Sequence, residues 1–225
     1  MTAELWAGPV QDEPATVITL GSRPGFRGAI WAVRTDEIAI GDQVVERDLI
    51  IHPGAVGVVV LDPEDRVYLL RQYRHPVGMM LFEPPAGVFD RVDDDPLQTA
   101  KRELREEAGM EAASWHVLVD YFTTPGSSSE AIRIYLARGA SPIAGGRVAT
   151  GEAEEDHLPG VWVPLADAVG LVLGGRLNNP TTAVGILAAT AAKARGWSDL
   201  RPSDSPWPAR RHLIETNRVF AVNPG

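Results

Sequence analysis

One helix in this 225-residue sequence is delimited by its own residues and fixes much of what must surround it. Asp95 offers a side-chain oxygen at the N-cap, Pro96 suits the first helical position, where its missing N–H costs nothing, and Gly109 supplies a stop. Residues three and four apart share a helical face. Leu97, Ala100 and Leu104 therefore form an inward stripe, while Glu103, Glu106 and Glu107 project together and repel one another. Such a helix needs an apolar partner on one side, and its neighbours in sequence supply one. Upstream, Ala55–Leu61 is a nearly continuous apolar strand, and across the turn Asp62-Pro63-Glu64-Asp65 it pairs as a hairpin with a strand over 67–73.

Downstream, strands at 115–122 and 131–137 flank the loop 123–130, a Gly-rich acidic segment covers 139–159, and a short strand follows at 161–163. Helical patterns then span Leu165–Leu173 and, with Asn179 as cap and Pro180 at N1, about 180–195. The first fifty residues read as short β-like runs at 16–20, 28–34 and 37–51, separated by turn-rich stretches at 21–25 and 41–42. The fold class expected is mixed α/β (α+β). It divides into an N-terminal β arm (1–52), a catalytic domain (53–197) and an irregular C-terminal extension (198–225) without clear period. Arg210-Arg211 in that extension reads as a solvated basic pair.

Composition removes several classes of function. The chain has no cysteine, so disulfides, thiolate metal sites and cysteine nucleophiles are excluded. A net charge of -9 disfavours nonspecific nucleic-acid binding, and an acidic protein that handles anionic phosphates needs a cation to screen its own carboxylates. Residues 1–10 lack a basic segment followed by an apolar one, and no apolar stretch reaches membrane-spanning length, so a cytoplasmic protein with no membrane partner is expected.

Three glutamates on a helix are by themselves an ordinary solvated face, and Arg102 with Glu106 an ordinary surface ion pair. The loop Glu83-Pro84-Pro85-Ala86-Gly87 before the helix changes that reading. Hard oxygen ligands facing a loop that bares a backbone carbonyl suit Mg²⁺ or Mn²⁺, with substrate phosphates completing the octahedron. Gly87, six residues, Asp94, seven residues, then Arg102-Glu103-Leu104-Arg105-Glu106-Glu107-Ala108-Gly109-Met110 resembles the Nudix box. The first half departs from the family pattern twice, by one extra loop residue and by Asp94 where Glu is usual. The resemblance implies a Nudix fold, an α/β/α sandwich around a mixed β-sheet. It also implies Glu103 and Glu107 as principal metal ligands, Glu106 assisting, the Ala86 carbonyl as a further ligand, and Arg102 holding the carboxylates in place.

Further features resemble ADP-ribose pyrophosphatases: Gln72-Tyr73-Arg74, Glu83-Pro84-Pro85-Ala86-Gly87, and Thr124-Pro125-Gly126-Ser127-Ser128-Ser129-Glu130, with Pro125 sixteen residues beyond Gly109. Taken alone, Pro125-Gly126 is a turn. The resemblance implies Mg²⁺-dependent cleavage of ADP-ribose to AMP and ribose 5-phosphate, a homodimer that uses the N-terminal arm, and a general base on the loop before the last strand. Glu152, Glu154, Glu155 and Asp156 occupy that loop, and Glu155 is the assignment made. Arg74 suits a phosphate clamp, because a guanidinium fork matches phosphate oxygens. The substrate-binding set expected is Arg74, Glu83, Trp31 stacking on adenine with Arg47 beside it, and Ser127, which stands where the family tends to carry an aromatic residue. A Trp in an arm strand can equally be simply packed. Ser127 keeps another nucleoside diphosphate sugar open as substrate. A non-catalytic Nudix-like sensor is the alternative from a different class, disfavoured by the three helix carboxylates.

Overall fold

The computed structural model describes residues 5–147 and 158–222. Two sheets organise the chain. The first is a three-stranded antiparallel arm of β1 (Ile18–Arg27), β2 (Ala32–Ile40) and β3 (Gln43–Ile51), in that order. The stretch 21–25, expected to be a turn, lies inside β1. Pro24 is accommodated because β1 is an edge strand, and register shifts at Thr19/Gly21 and Pro24/Arg27 absorb the irregularity.

The second sheet is mixed. Its main path runs β10 (Gly160–Pro164), β5 (Arg66–Arg74), β4 (Ala55–Leu61), β9 (Ala131–Pro142), β8 (Met110–Phe122) and β11 (Arg201–Pro202), with β4 and β9 parallel. β4 and β5 pair at their turn, Leu61 opposite Val67, and then part. Beyond that point β6 (Met79–Glu83) pairs with β5 and β7 (Ala86–Val88) with β4, so the Pro84-Pro85 corner is carried between two strands. The 3₁₀ turn His75–Val77 joins β5 to β6.

β4 is buried along its whole length, which explains its continuous apolar run. Its side chains alternate between two cores. Val59 and Leu61 pack with Ile134 and Leu136 of β9 under α2 (Leu165–Leu173) and α3 (Pro180–Ala194). Val56, Val58 and Val60 pack with Tyr135 and Ala137 under α1 (Pro96–Ala108) and α4 (Pro208–Glu215). The result is the expected α/β/α sandwich. Asp95 caps α1 as its sequence requires, accepting from the Leu97 and Gln98 amides, and Gly109 ends the helix at φ 63°. Asn179 caps α3 by accepting from Thr182 N–H.

The segment in which the sequence shows no period carries β11 and α4. Arg133, itself buried, pairs with Asp120 and donates to the Ser205 and Pro206 carbonyls, which ties the approach to α4 against the sheet. Trp207 and Leu213 are buried there. Arg210 is therefore not the solvated tail residue that the sequence suggests: it is buried, and only Arg211 faces solvent.

Candidate active site

α1 and β7 bring the box residues together. β7 lies on β4 with Gly87 opposite Val56 and Ala86 opposite Gly57, and the Pro85 carbonyl accepts from Val58 N–H at 2.8 Å. Leu104 and Ala100, both fully buried, press α1 onto the sheet, which aims the next turn of the helix at β7. Ala86 N–H donates to Glu107 Oε2 at 2.8 Å. Glu103 packs so closely over Gly87 that only a residue without a Cβ fits beneath it.

The three helix carboxylates do not share one environment. Glu103 and Glu107 are 6% and 5% exposed, whereas Glu106 is half-buried. Arg102 lies among them, with Nη2 2.9 Å from Glu103 Oε1 and Nη1 3.0 Å from Glu106 Oε2, and it reaches Asp90 Oδ2 at 3.3 Å. Burial alone would lower the Arg102 pKa, but Glu103, Glu106 and Asp90 together hold it above its ordinary value. The donor set of carboxylates beside a strand-edge backbone is all oxygen, which fits a hard divalent cation. Among the described residues there is no ready-made cluster of three metal-ligating side chains, so backbone, substrate or further acidic groups would have to complete a coordination sphere.

Asp94, where the box departs from its usual pattern, folds the loop on itself. Its Oδ2 accepts from both Asp90 N–H and Arg91 N–H, at 3.0 and 2.9 Å. The extra residue is thereby taken up in a turn ahead of the Asp95 cap.

The other expected site residues fall into separate groups. Arg74 and Glu83 meet across β5 and β6: Arg74 Nε lies 3.0 Å from both Glu83 oxygens and Nη2 2.6 Å from Oε2. Glu83 is 3% exposed, so it anchors the half-exposed guanidinium from below. Arg47 and Ser127 line one cleft of about 470 Å³ between the arm and the loop 123–130, with Asp36, Phe122 and Pro125. Ser127 is fixed there by its carbonyl, which accepts from Ile50 N–H at 2.8 Å. Trp31 is not among the residues lining that cleft; it tilts against Phe26, with ring centroids 5.7 Å apart, and is 40% exposed. Glu155, with Glu152, Glu154 and Asp156, lies outside the described residues.

Sequence reading missed three contributors. Asp90, one of several aspartates between Gly87 and the helix, is a partner of Arg102. Arg147 Nε donates to the Glu106 carbonyl at 3.3 Å from the Gly-rich acidic segment, in which a lone arginine carries no signal of its own. His52 is partly buried, accepts from Gly54 N–H on Nδ1 at 3.1 Å, and places Nε2 3.5 Å from Glu130 Oε1 at the end of the 123–130 loop. Burial lowers its pKa, and Glu130 partly offsets that.

A sandwich with a capped acidic helix laid against the Ala-Gly strand that follows a Pro-Pro corner is the arrangement that the Nudix resemblance implies. The NUDIX domain family model matches residues 51–182, more than half of the sequence, and the chain belongs to the Nudix family. Among individual proteins, it is 40% identical over 202 residues to the ADP-ribose pyrophosphatase of Mycobacterium tuberculosis (strain ATCC 25618 / H37Rv). That alignment spans 89% of this chain and 96% of the relative. It is 29% identical over 169 residues to the methanol dehydrogenase activator of Bacillus methanolicus, covering 75% of this chain and 89% of that one. A crystal structure of an ADP compounds hydrolase shares the fold with a TM-score of 0.66 at 20% identity, covering 83% of this chain and 99% of the other. No helix among the described residues is long and apolar enough to cross a membrane.

Proposed function

We propose that this chain hydrolyses the pyrophosphate linkage of ADP-ribose, giving AMP and ribose 5-phosphate, with Mg²⁺ as cofactor and Mn²⁺ able to replace it. The observation that carries the reading is the pair of buried carboxylates, Glu103 and Glu107, held against Gly87 and Ala86 of β7 in a chain 40% identical to an ADP-ribose pyrophosphatase over nearly its whole length. Glu103, Glu107 and the Ala86 carbonyl would hold the metal, with Glu106 assisting. When bound, the metal neutralises the pyrophosphate oxygens that otherwise repel a nucleophile.

The protein's own groups supply the rest. Arg102 keeps the carboxylates from splaying apart, since its guanidinium sits between Glu103 and Glu106. Arg74 presents its fork to a substrate phosphate from a position that buried Glu83 fixes in advance, so little side-chain entropy is lost on binding. Water attacks one phosphorus, the bond from that phosphorus to the bridging oxygen breaks, and Glu155 takes the water's proton. Arg47 and Ser127 contact the nucleoside or the distal ribose in the arm cleft, and Trp31, outside that cleft but 40% exposed on the arm, offers a face for adenine.

The arm also supports a homodimer, and we place the enzyme in the cytoplasm as part of the same proposal. Ile18, Leu20, Phe26 and Val44 of the arm strands are each more than half exposed, an apolar surface that a second copy would cover. A second substrate reading is favoured by one observation. Ser127, Ser128 and Ser129 give the cleft hydroxyls where an aromatic platform would stack, so another nucleoside diphosphate sugar could be preferred. The deciding experiment incubates purified protein with Mg²⁺ and a panel of nucleoside diphosphate sugars and quantifies the nucleoside monophosphate released. Release of AMP from ADP-ribose at the highest kcat/KM is expected. Faster cleavage of another sugar selects the second reading, and tight binding with no cleavage of any substrate selects a sensor.

A further inference from the structure

Arg210 is the buried charge that the site described above does not use. It is 5% exposed, and among the described residues no carboxylate lies within ion-pair distance of it. Its guanidinium instead lies 3.8 Å from the centroid of the Phe89 ring. Nη1 donates to the Pro53 carbonyl at 2.7 Å and Nη2 to the Val92 carbonyl at 3.2 Å. Burial pushes its pKa down to about 10, against the attraction of Asp94, so the group stays charged at neutral pH. Burying a cation with only carbonyls and ring faces for company costs free energy, and a methionine or leucine would hold a tail helix to a core at lower cost.

What the charge gains is position, because two of the three groups it grips, the Phe89 ring and the Val92 carbonyl, lie on the segment that joins the two halves of the box, and the third, the Pro53 carbonyl, lies just ahead of β4. Phe89 directly follows β7, and its N–H donates to the Gly54 carbonyl at 3.2 Å, next to Pro53. Val92 lies midway along the loop between β7 and α1, beside the Asp94 turn that takes up the extra residue. The Asp90 end of this loop is tied by Arg102 and its far end by the Asp95 cap. Its middle is tied by Arg210.

We propose that Arg210, reaching in from α4, is a positioning residue for the loop between β7 and α1, fixing the approach of Ala86 and Gly87 to Glu107 and Glu103. The proposal rests on the reading of those carboxylates as metal ligands. It assigns the C-terminal helix a part in the site, and it explains how the box keeps its geometry with one residue more and a shorter acid at position 94.

The test is a titration of free Mn²⁺ by electron paramagnetic resonance against the full-length protein without substrate, beside ADP-ribose kinetics and thermal melting. Residues that orient metal ligands from behind typically change affinity by about 10–100-fold when removed. Arg210→Met is expected to weaken Mn²⁺ binding by about tenfold and to lower kcat, with KM within about twofold. Arg210→Lys keeps the charge but cannot fork to both carbonyls, so it should fall between the two. Arg211→Met, on the exposed neighbour, should match the wild type. A folded Arg210→Met protein with wild-type Mn²⁺ affinity and kcat, changed only in melting temperature, would overturn the proposal. If that variant does not fold, Arg210→Lys decides by the same titration: weakened binding supports the proposal and unchanged binding overturns it. Wild-type protein that binds Mn²⁺ but leaves ADP-ribose intact would defeat the proposed substrate and leave the Arg210 comparison standing.

Discussion

Replacing Gly87 by alanine drives a methyl group into Glu103. The added Cβ would lie 2.7 Å from Glu103 Cγ and nearer still to its carboxylate, while comfortable carbon contacts begin near 3.5–4.0 Å, so the side chain must retreat by about 1 Å. Glu103 is buried and bonded to Arg102, so it cannot swing freely into solvent. Two consequences follow. Overpacking of this kind costs about 1–3 kcal/mol of stability, which for a chain of this length lowers the melting temperature by roughly 2–12 °C. A displacement of about 1 Å in a positioned catalytic group can cost on the order of 10²-fold in rate. The two are of similar free energy, since a hundredfold is about 2.7 kcal/mol, but a protein with about 5–15 kcal/mol of stability stays folded after losing about 1–3 kcal/mol, whereas the rate falls in full. Gly87→Ala is expected to melt as a cooperative folded protein while its kcat with ADP-ribose falls about a hundredfold at saturating Mg²⁺. Gly170→Ala is the control: nothing lies within 4 Å of its added methyl group in α2, so neither quantity should fall. Calorimetry paired with steady-state assay reads both. The reasoning fails if Gly87→Ala keeps wild-type kcat, or if its lost activity tracks the unfolded fraction alone.

Glu155→Gln should reduce kcat by roughly 10²–10⁴-fold with KM and Mn²⁺ affinity nearly unchanged and a flattened acidic limb of the rate profile, whereas Glu154→Gln should not. Reversal of that pair would move the base by one residue. His52 has a folded pKa held below the ordinary 6.5, so it contributes stability that is complete above pH 6.5 and is lost as pH falls through the lowered value. Protonation also takes away the Nδ1 acceptor of Gly54 N–H, so melting midpoints measured from pH 7.5 down to 5 should fall more steeply for the wild type than for His52→Asn; equal slopes would remove His52 from the account. Deleting residues 1–50 should convert a dimer to monomer in light scattering and cost activity, and a fully active monomeric wild type would count against the arm's role.

The parts of this molecule legible in its sequence are those whose structure and chemistry are written in consecutive residues. α1 is announced by Asp95, Pro96 and Gly109, α3 by Asn179 and Pro180, and the carboxylates by helical spacing, because caps and periodicity act over one or two turns. Spacing gave the shared face of Glu103, Glu106 and Glu107 but not the burial of two of them, which depends on how closely β7 approaches under Gly87. The same limit explains the tail. Arg210 reads as a solvated basic residue because its partners are the carbonyls of Pro53 and Val92, more than a hundred residues away, and a backbone carbonyl leaves no mark on residue type. Arg47 and Ser127 line one cleft because Ile50 joins the loop by backbone hydrogen bonds with Ser127 and Ser129, contacts that leave no mark on residue type. A Nudix box thus shows in sequence because one short stretch folds locally into a helix with a carboxylate face. On the proposed assignment, the groups that would set what is cleaved come from the arm, the β5–β6 hairpin and the loop 123–130, so substrate choice would be a property of tertiary structure, and substitutions in those three segments should alter KM between sugars before they alter metal dependence.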